Sequence, residues 1–322
     1  MTAMTDDTVP VTPRIIHDEM IAFGIMTALL LVVPFTGLYP FFVMQALCFA
    51  LLACAFNLLI GYGGLLSFGH AMFLGTAGYV SAHALKVWGL SPELGIIAGT
   101  AASAVLGVIT GVVAIRRQGI YFAMITLALA QMMYLVALRV KLTGGEDGIQ
   151  AVPRGRLFGV FNLSDETTMY IFVLVVVLAA FFLIYRIVNS PFGEVLKAIR
   201  ENERRAISLG YSTDRYKLVA FILSAALAGL AGSMKALVFQ LASLTDVHWN
   251  MSGEVVLITL VGGLGTIFGP VVGAFFIVAL ENYLAPFGQW VLVIQGTIFV
   301  ICVVLFRRGI VGELANLLHV RL

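Results

Sequence analysis

The chain has 322 residues, of which 61% are hydrophobic and 11% charged, with a formal net charge of +2. Soluble domains run at roughly 45–50% apolar and about 25% charged, so this composition excludes a large water-soluble core. The near-neutral balance and the absence of a basic tail give no sign of a nucleic-acid partner. The apolar residues fall in runs of the length, about 20 residues, that a helix needs to cross the hydrocarbon layer. A transmembrane barrel would instead show short alternating segments. The expected fold is all-α: a polytopic helical membrane protein of about eight to ten spans, set in the lipid bilayer.

Residues 1–19 form an N-terminal tail that sets Asp6, Asp7, Asp18 and Glu19 against Arg14. That is not the basic leader of a secretory signal peptide, so the first apolar stretch is expected to stay as an anchor. A single transmembrane domain is expected over 20–306, with candidate spans at 20–39, 41–60, 70–88, 92–115, 119–140, 169–188, 217–240, 254–284 and 287–306. A C-terminal tail fills 307–322. Cys48 and Cys54, six residues apart on one span, fall on nearly opposite helix faces. With Cys302 they read as small apolar residues, neither disulfide nor metal ligands.

Two polar connections interrupt the spans: 141–168, containing TGGEDG, Arg154 and Arg156, and 190–217, which holds Lys197, Arg200, Arg204, Arg205, Arg215 and Lys217. Lys and Arg in short loops mark the cytoplasmic side. Arg116 with Arg117, the 190–217 loop and Arg307 with Arg308 should therefore all be cytoplasmic. Counting spans from there puts 141–168 outside and the N-terminus inside. It also requires an odd number of crossings between residue 240 and Arg307, where two apolar stretches are visible. One of them must be broken or re-entrant, and 254–284 is the candidate because it contains VGGLGTIFGP.

That break has a counterpart. GGLLSFG at 63–69 and GGLGTIFG at 262–269 each place a Gly pair before Phe-Gly inside an apolar run. The match is either coincidence in Gly-rich membrane helices or a pair of interrupted helices at corresponding places. In many transporters such interruptions mark the substrate path, because the freed backbone groups are tolerated only in protein or against a wet cavity. On that reading Gly63, Gly64, Ser67 and His70 at the first break, and Gly262, Gly263 and Gly265 at the second, are candidate pathway residues. His70 reads equally as a neutral, hydrogen-bonded core residue. Glu254 and Glu281 bracket the second break and read as interfacial; Lys86 and Lys235 read as snorkelling side chains. Thr126 and Gln131 face either the path or a neighbouring helix.

No GK[ST] phosphate loop, HExxH zinc site or GxSxG elbow is present, so no ATPase or metal site and no cofactor is expected in this chain. The 190–217 loop is the most informative segment. Val195, Leu196, Ile199, Ala206 and Ile207 share one face at helical spacing, with Gly210 at the end. Its mixed acidic and basic residues suit a protein partner better than anionic lipid, although a plainly solvated helix is the simpler reading.

The segments LLIGYGGLLSFGHAMFLGTAGY at 58–79, RRQGIYFAMITLALAQM at 116–132, TGGEDGI at 143–149, the run 190–237 and SGEVVLITLVGGLGTIFGPVVGA at 252–274 resemble permease subunits of bacterial high-affinity branched-chain amino acid ABC importers. The resemblance implies a multi-pass protein of the bacterial cytoplasmic (inner) membrane. Its expected partners are a second homologous permease, two cytoplasmic ATP-binding subunits and an external, periplasmic substrate-binding protein. The chain itself would be no enzyme. It also implies that the 190–217 loop docks on the ATPase through an EAA-x3-G pattern. Here Ala206 and Gly210 keep the pattern, Arg204 stands where its Glu belongs, and Glu203 lies one residue early. The implied coupling residues are Arg200, Glu203, Arg204, Ala206 and Gly210, on a single helix at about 194–210. TGGEDG is a candidate contact for the binding protein or a plain turn. Relatives of that family carry urea and short amides, which remain alternative substrates. A stand-alone secondary transporter or channel using His70 and Glu281 is the more distant alternative.

Overall fold

The computed structural model describes residues 14–32, 39–305 and 309–318. Helix α2 (Pro40–Asn57) is the axis of the bundle. Pro40 starts it, where a missing N–H costs nothing, and every residue from Ala46 to Asn57 is buried. A helix apolar on all sides has no solvent face to offer and sits inside. Around it lie α1 (Arg14–Val32), α3 (His70–Lys86), α4 (Pro92–Ala114), α5 (Ile120–Arg139), α6 (Glu166–Val188), α9 (Thr213–Phe239), α10 (Trp249–Gly262), α11 (Gly269–Leu284) and α12 (Val291–Leu305). Short helices α7 (Pro191–Glu201) and α8 (Glu203–Ser208) form an elbow at one end, and α13 (Gly309–Leu318) packs on α10 and α11.

The opposite end carries a small cap. Strand β1 (Ile149–Gln150) pairs antiparallel with β4 (Leu241–Ala242), and β2 (Arg156–Leu157) with β3 (Phe161–Asn162). Arg154 Nη2 donates to Val238 O at 2.9 Å and Lys86 Nζ to Gln150 O at 2.7 Å. The 141–168 connection is thus a folded lid tied to the ends of α3 and α9, not a free loop. Asp165 accepts from the Thr168 N–H at 3.0 Å and caps the start of α6.

Helices α3, α4 and α9 pack through small residues. A Cβ on Gly107 would stand 2.6 Å from the Ala225 Cβ, one on Gly229 would strike Ser103, and one on Gly232 would strike the Leu74 carbonyl. Buried hydroxyls stitch the same seam: Ser103 Oγ donates to Ala225 O at 2.7 Å, and Ser81 and Ser233 lie 2.8 Å apart. In a bilayer, where lipid tails are as apolar as Leu, close backbone approach and such hydrogen bonds hold helices together.

Five helices among the described residues, α2 with its extension to Tyr62, α4, α5, α6 and α9, are long and apolar enough to cross a membrane. The helices that restart after the glycine breaks, α3 and α11, and α10 before the second, are shorter. At 1.5 Å per residue, the 14 residues of α10 reach about 21 Å, against the roughly 30 Å of a hydrocarbon core. Helix α10 starts part-way down: Ala71 N donates to Ser252 Oγ at 2.9 Å, and Val247 packs on Gly75 of α3. The 243–248 segment therefore dips in from the cap. The stretch 254–284 is two antiparallel helices, α10 and α11, joined by 263–268. With α12, three α-helices follow α9 up to residue 305.

Other expectations shift. The span at 20–39 begins earlier, at Arg14, and its end at 33–38 lies outside the described residues, as do Arg307 and Arg308. Most of the 307–322 tail is helix α13. Lys235 does not snorkel: its side chain is largely buried and pairs with Asp246 at 2.6 Å, above the Phe49 ring. The dipping segment brings Asp246 to it, and an ammonium with a carboxylate partner need not reach water.

Gly232→Val should overpack the α3–α9 seam, lowering stability by about 1–3 kcal/mol or preventing assembly. Gly253→Ala, where an added Cβ meets nothing within 4 Å, should be neutral. The thermal aggregation midpoint of detergent-purified protein reads both.

Candidate functional site

The elbow is built from local signals. Ser190 accepts from Gly193 N at 3.4 Å to cap α7, and Pro191 fills the first helical position. Gly193, Leu196 and Ile199 are buried and the charged residues face out. A Cβ on Gly193 would strike the Val188 carbonyl, so α7 folds tightly under the end of α6. The expected single helix at 194–210 is corrected here. Asn202 leaves helical geometry (φ −154°, ψ 93°), and its Oδ1 accepts from Arg205 N at 3.1 Å. An Asn side chain that satisfies a free N–H in this way starts a new helix.

Helix α8 ends with Gly210 at φ +90°. Tyr211 N donates to Ala206 O at 3.2 Å and Gly210 N to Ile207 O at 2.9 Å. This pair of bonds closes a helix through a left-handed residue, and it places a buried Ala four residues before the Gly. The Ala-x3-Gly spacing is thus the geometry of the helix end. Arg204 is exposed. Glu203 pairs with the buried Lys217 at the base of α9. That contact gives Glu203 a structural task that the sequence did not reveal, tying α8 to α9.

Above the elbow the π-turn that opens the first interruption meets the second break. The last turn of α2 widens to a π-turn, Leu58–Tyr62. Asn57, at its start, spans to the second break: its Nδ2 donates to Thr266 O at 2.8 Å, and its Oδ1 accepts from Gly265 N at 3.0 Å. A Cβ on Gly61 would lie 2.8 Å from Gly265 N, so the two chains touch there. Arg200 of α7 donates to the Gly61 carbonyl. Its stem crosses Gly64 (φ +69°), whose added Cβ would sit 2.8 Å from Arg200 Cγ. The Leu196 side chain reaches Gly63. A cleft of about 220 Å³ opens beside this junction, bordered by Tyr62, Asn189, Lys197, Arg200, Gly265 and Ile267.

The breaks share local chemistry. Gly69 N donates to Ser67 Oγ at 3.1 Å, and Gly269 N to Thr266 Oγ1 at 3.1 Å. In each motif a hydroxyl thus caps the Gly after Phe, and each holds a glycine at positive φ: Gly64 in the first, Gly263 and Gly265 in the second. The two motifs are alike in structure as well as in letters.

The seven residues assigned to a path are not gathered in one cavity. Gly265 borders the cleft, and Gly63 and Gly64 lie against α7. Gly262 and Gly273 let α10 and α11 cross in backbone contact, and Gly262 and Gly263 also receive Gly309 of α13. Ser67 and His70 are fully buried. His70 Nε2 is 2.8 Å from Ser224 Oγ, which donates to Ala55 O at 2.6 Å. With its one proton committed to that carbonyl, Ser224 must accept from Nε2–H. His70 pins α3 to α9 and α2 at mid-depth, since Ser224 lies 11 residues into α9, about 16 Å along it. Thr126 Oγ1 accepts from Phe68 N at 3.1 Å, anchoring the first break to α5.

Asn57, Lys217 and Thr266 were missed at sequence level. Asn57 carried a signal, because only it and Gln45 bring amide side chains to the apolar helix Pro40–Asn57, and a polar residue in such a setting needs a partner. Among the described residues no group of three or more His, Cys, Asp or Glu could hold a metal.

Gly210→Val should strain the end of α8 by roughly 1–2 kcal/mol and speed amide exchange at positions 210 and 211. Gly210→Asn should do so less, because Asn tolerates the left-handed region. Nothing lies within 4 Å of a Cβ there, so equal effects of the two changes would contradict the backbone explanation.

Residues 38–303 match the family described as branched-chain amino acid transport system, permease component. The chain is 27% identical over 294 residues to the high-affinity branched-chain amino acid transport system permease protein LivM of Salmonella typhimurium, covering 83% of this chain and 68% of the relative. LivM of Escherichia coli is 27% identical over 290 residues, 81% and 67% of the two chains. The ribose import permease protein RbsC of Bacillus subtilis is 30% identical over 173 residues, 51% of each chain. No solved structure matches. The matched span runs through both glycine breaks and the elbow, and the chain belongs to the family of branched-chain amino acid transport permease components.

Proposed function

We infer that this chain is the membrane-spanning permease subunit of an ABC importer that carries branched-chain amino acids inward across the bacterial cytoplasmic membrane. The observation that carries the reading is the family match over 38–303, breaks and elbow included. In this reading the elbow end faces the cytoplasm, because it gathers the basic loop residues, and the cap faces the external binding protein. A second homologous permease completes the pathway. The chain hydrolyses nothing itself; two ATP-binding subunits supply the free energy.

The elbow suits a protein partner. Ile207, Leu209 and Tyr211 are 55%, 69% and 41% exposed, beside the cations of Arg204 and Arg205. Apolar side chains held out on a polar loop favour a docking surface over a simply solvated helix. A surface cleft of about 420 Å³, bordered by Gln118, Glu201, Asn202, Glu203, Arg204 and Ile207, lies next to them. Closure of the ATPases would push α8, and the push would reach α9 through Glu203 and Lys217 and the glycine junction through α7. The glycines first assigned to the path act in this reading as the joint beneath it.

Purification in mild detergent should recover a second permease and two ATP-binding proteins with this chain. The accompanying binding protein, titrated with leucine, isoleucine, valine, urea and ribose, should prefer the branched-chain amino acids. Ile207→Glu combined with Leu209→Glu should lower ATPase recovery at least about tenfold, the equivalent of 1.4 kcal/mol, and leave the second permease bound. Gradient-driven uptake by this chain alone, without ATP or partners, would overturn the reading.

A further inference from the structure

We propose that Arg200 and Asn57 form a clasp that carries movement of the elbow into the junction of the two glycine breaks. They are positioning residues for transport, and Arg200, although exposed, is engaged with the end of α2. The proposal rests on the ABC permease reading.

The argument starts from what is stiff and what is not. Helices α6 and α9 leave the elbow as unbroken hydrogen-bonded rods, and α9 is locked to α3 and α4 by small-residue packing. The backbone ladder is interrupted at that end in the π-turn Leu58–Tyr62 and in the two breaks, 63–69 and 263–268. Segments there are held by side-chain bonds in place of the helical pattern, so they can shift as units. Arg200 is joined to both breaks at once. It donates to the Gly61 carbonyl, its stem lies on Gly64, and its Nη1 is 3.6 Å from where a Gly265 Cβ would stand. A guanidinium fork can hold such a multi-point grip, whereas a lysine ammonium is a single point on a flexible stem.

Asn57 completes the path. Both ends of its amide are engaged by 265 and 266, one as donor and one as acceptor, so the second break cannot slide along α2 without losing two part-buried bonds. Gly61 has no side chain to wedge the two apart, since any Cβ would strike Asn57 Oδ1. Displacing α7 therefore displaces the end of α2 and, through Asn57, the loop between α10 and α11. The cleft of about 220 Å³ beside Arg200 gives the junction space to move without compressing packed side chains.

The test uses the complete transporter, reconstituted in liposomes with its partner subunits. Arg200→Met and Asn57→Leu should each leave ATPase recovery unchanged and ATP hydrolysis within about twofold of wild type. Substrate taken up per ATP hydrolysed should fall at least about tenfold. The double variant should be no worse than either single one, because both cut the same link. Arg200→Lys should fall between Met and wild type. An independent arm needs neither variant to fold: Asn189→Cys with Ile267→Cys, joined across the cleft by a reducible cross-linker, should arrest uptake until reductant is added. Unchanged uptake per ATP in Arg200→Met, or full uptake by the cross-linked protein, overturns the clasp. Loss of ATPase recovery in Arg200→Met also overturns it, assigning Arg200 to docking and leaving the permease reading intact. Failure of the wild-type chain to recover any ATPase counts against the permease reading itself.

Discussion

Backbone amides and carbonyls inside a membrane protein have no water to turn to, so every helix break must find its hydrogen-bond partners within the protein. In this chain two breaks solve the problem jointly. Asn57 supplies the donor and acceptor that 265 and 266 need, Ser67 and Thr266 cap the helices that restart, and Arg200 takes the Gly61 carbonyl left by the π-turn. The rest of the architecture follows from this shared solution. The π-turn at the end of α2 packs on the loop between α10 and α11, and α10 also bonds directly to α3. Arg200 must reach the π-turn, so α7 must fold under the end of α6.

The protein is held differently at its two ends. At the cap, short strand pairs and the Lys86 and Arg154 contacts bind the 141–168 lid to α3 and α9. In the middle, glycine, alanine and serine bring α3, α4 and α9 into backbone contact. At the elbow polar and apolar contacts mix: the Glu203–Lys217 ion pair and the Arg200 guanidinium stand beside the Phe192–Tyr216 stack and the buried Leu196 and Ile199.

Much of this was legible in the chain. Apolar runs of helical length located most spans, because the bilayer imposes a length that sequence cannot disguise. Loop charge pointed to an interruption in 254–284, and that stretch is two helices, α10 and α11. The Ala206 to Gly210 spacing was visible because helix termination is local. The split at Asn202 was not read, since an Asn within an amphipathic run announces a cap only when the next turn turns away. Lys235 was taken for a snorkelling side chain because its partner, Asp246, arrives by a dip of the chain that composition does not encode.

What the sequence by itself determined, then, is everything governed by the solvent and by short range: a helical membrane protein, its approximate spans, the side on which its charged elbow lies relative to its other basic loops, and the presence of two glycine interruptions. What only the tertiary structure decided is that the π-turn opening the first meets the second, that Asn57 and Arg200 join them, and that Glu203 is committed to Lys217. Residues 57 and 265 are separated by 208 positions, and no periodicity or local propensity couples positions that far apart. Their contact exists because buried polar groups must be satisfied and the bundle's packing leaves these particular groups within reach.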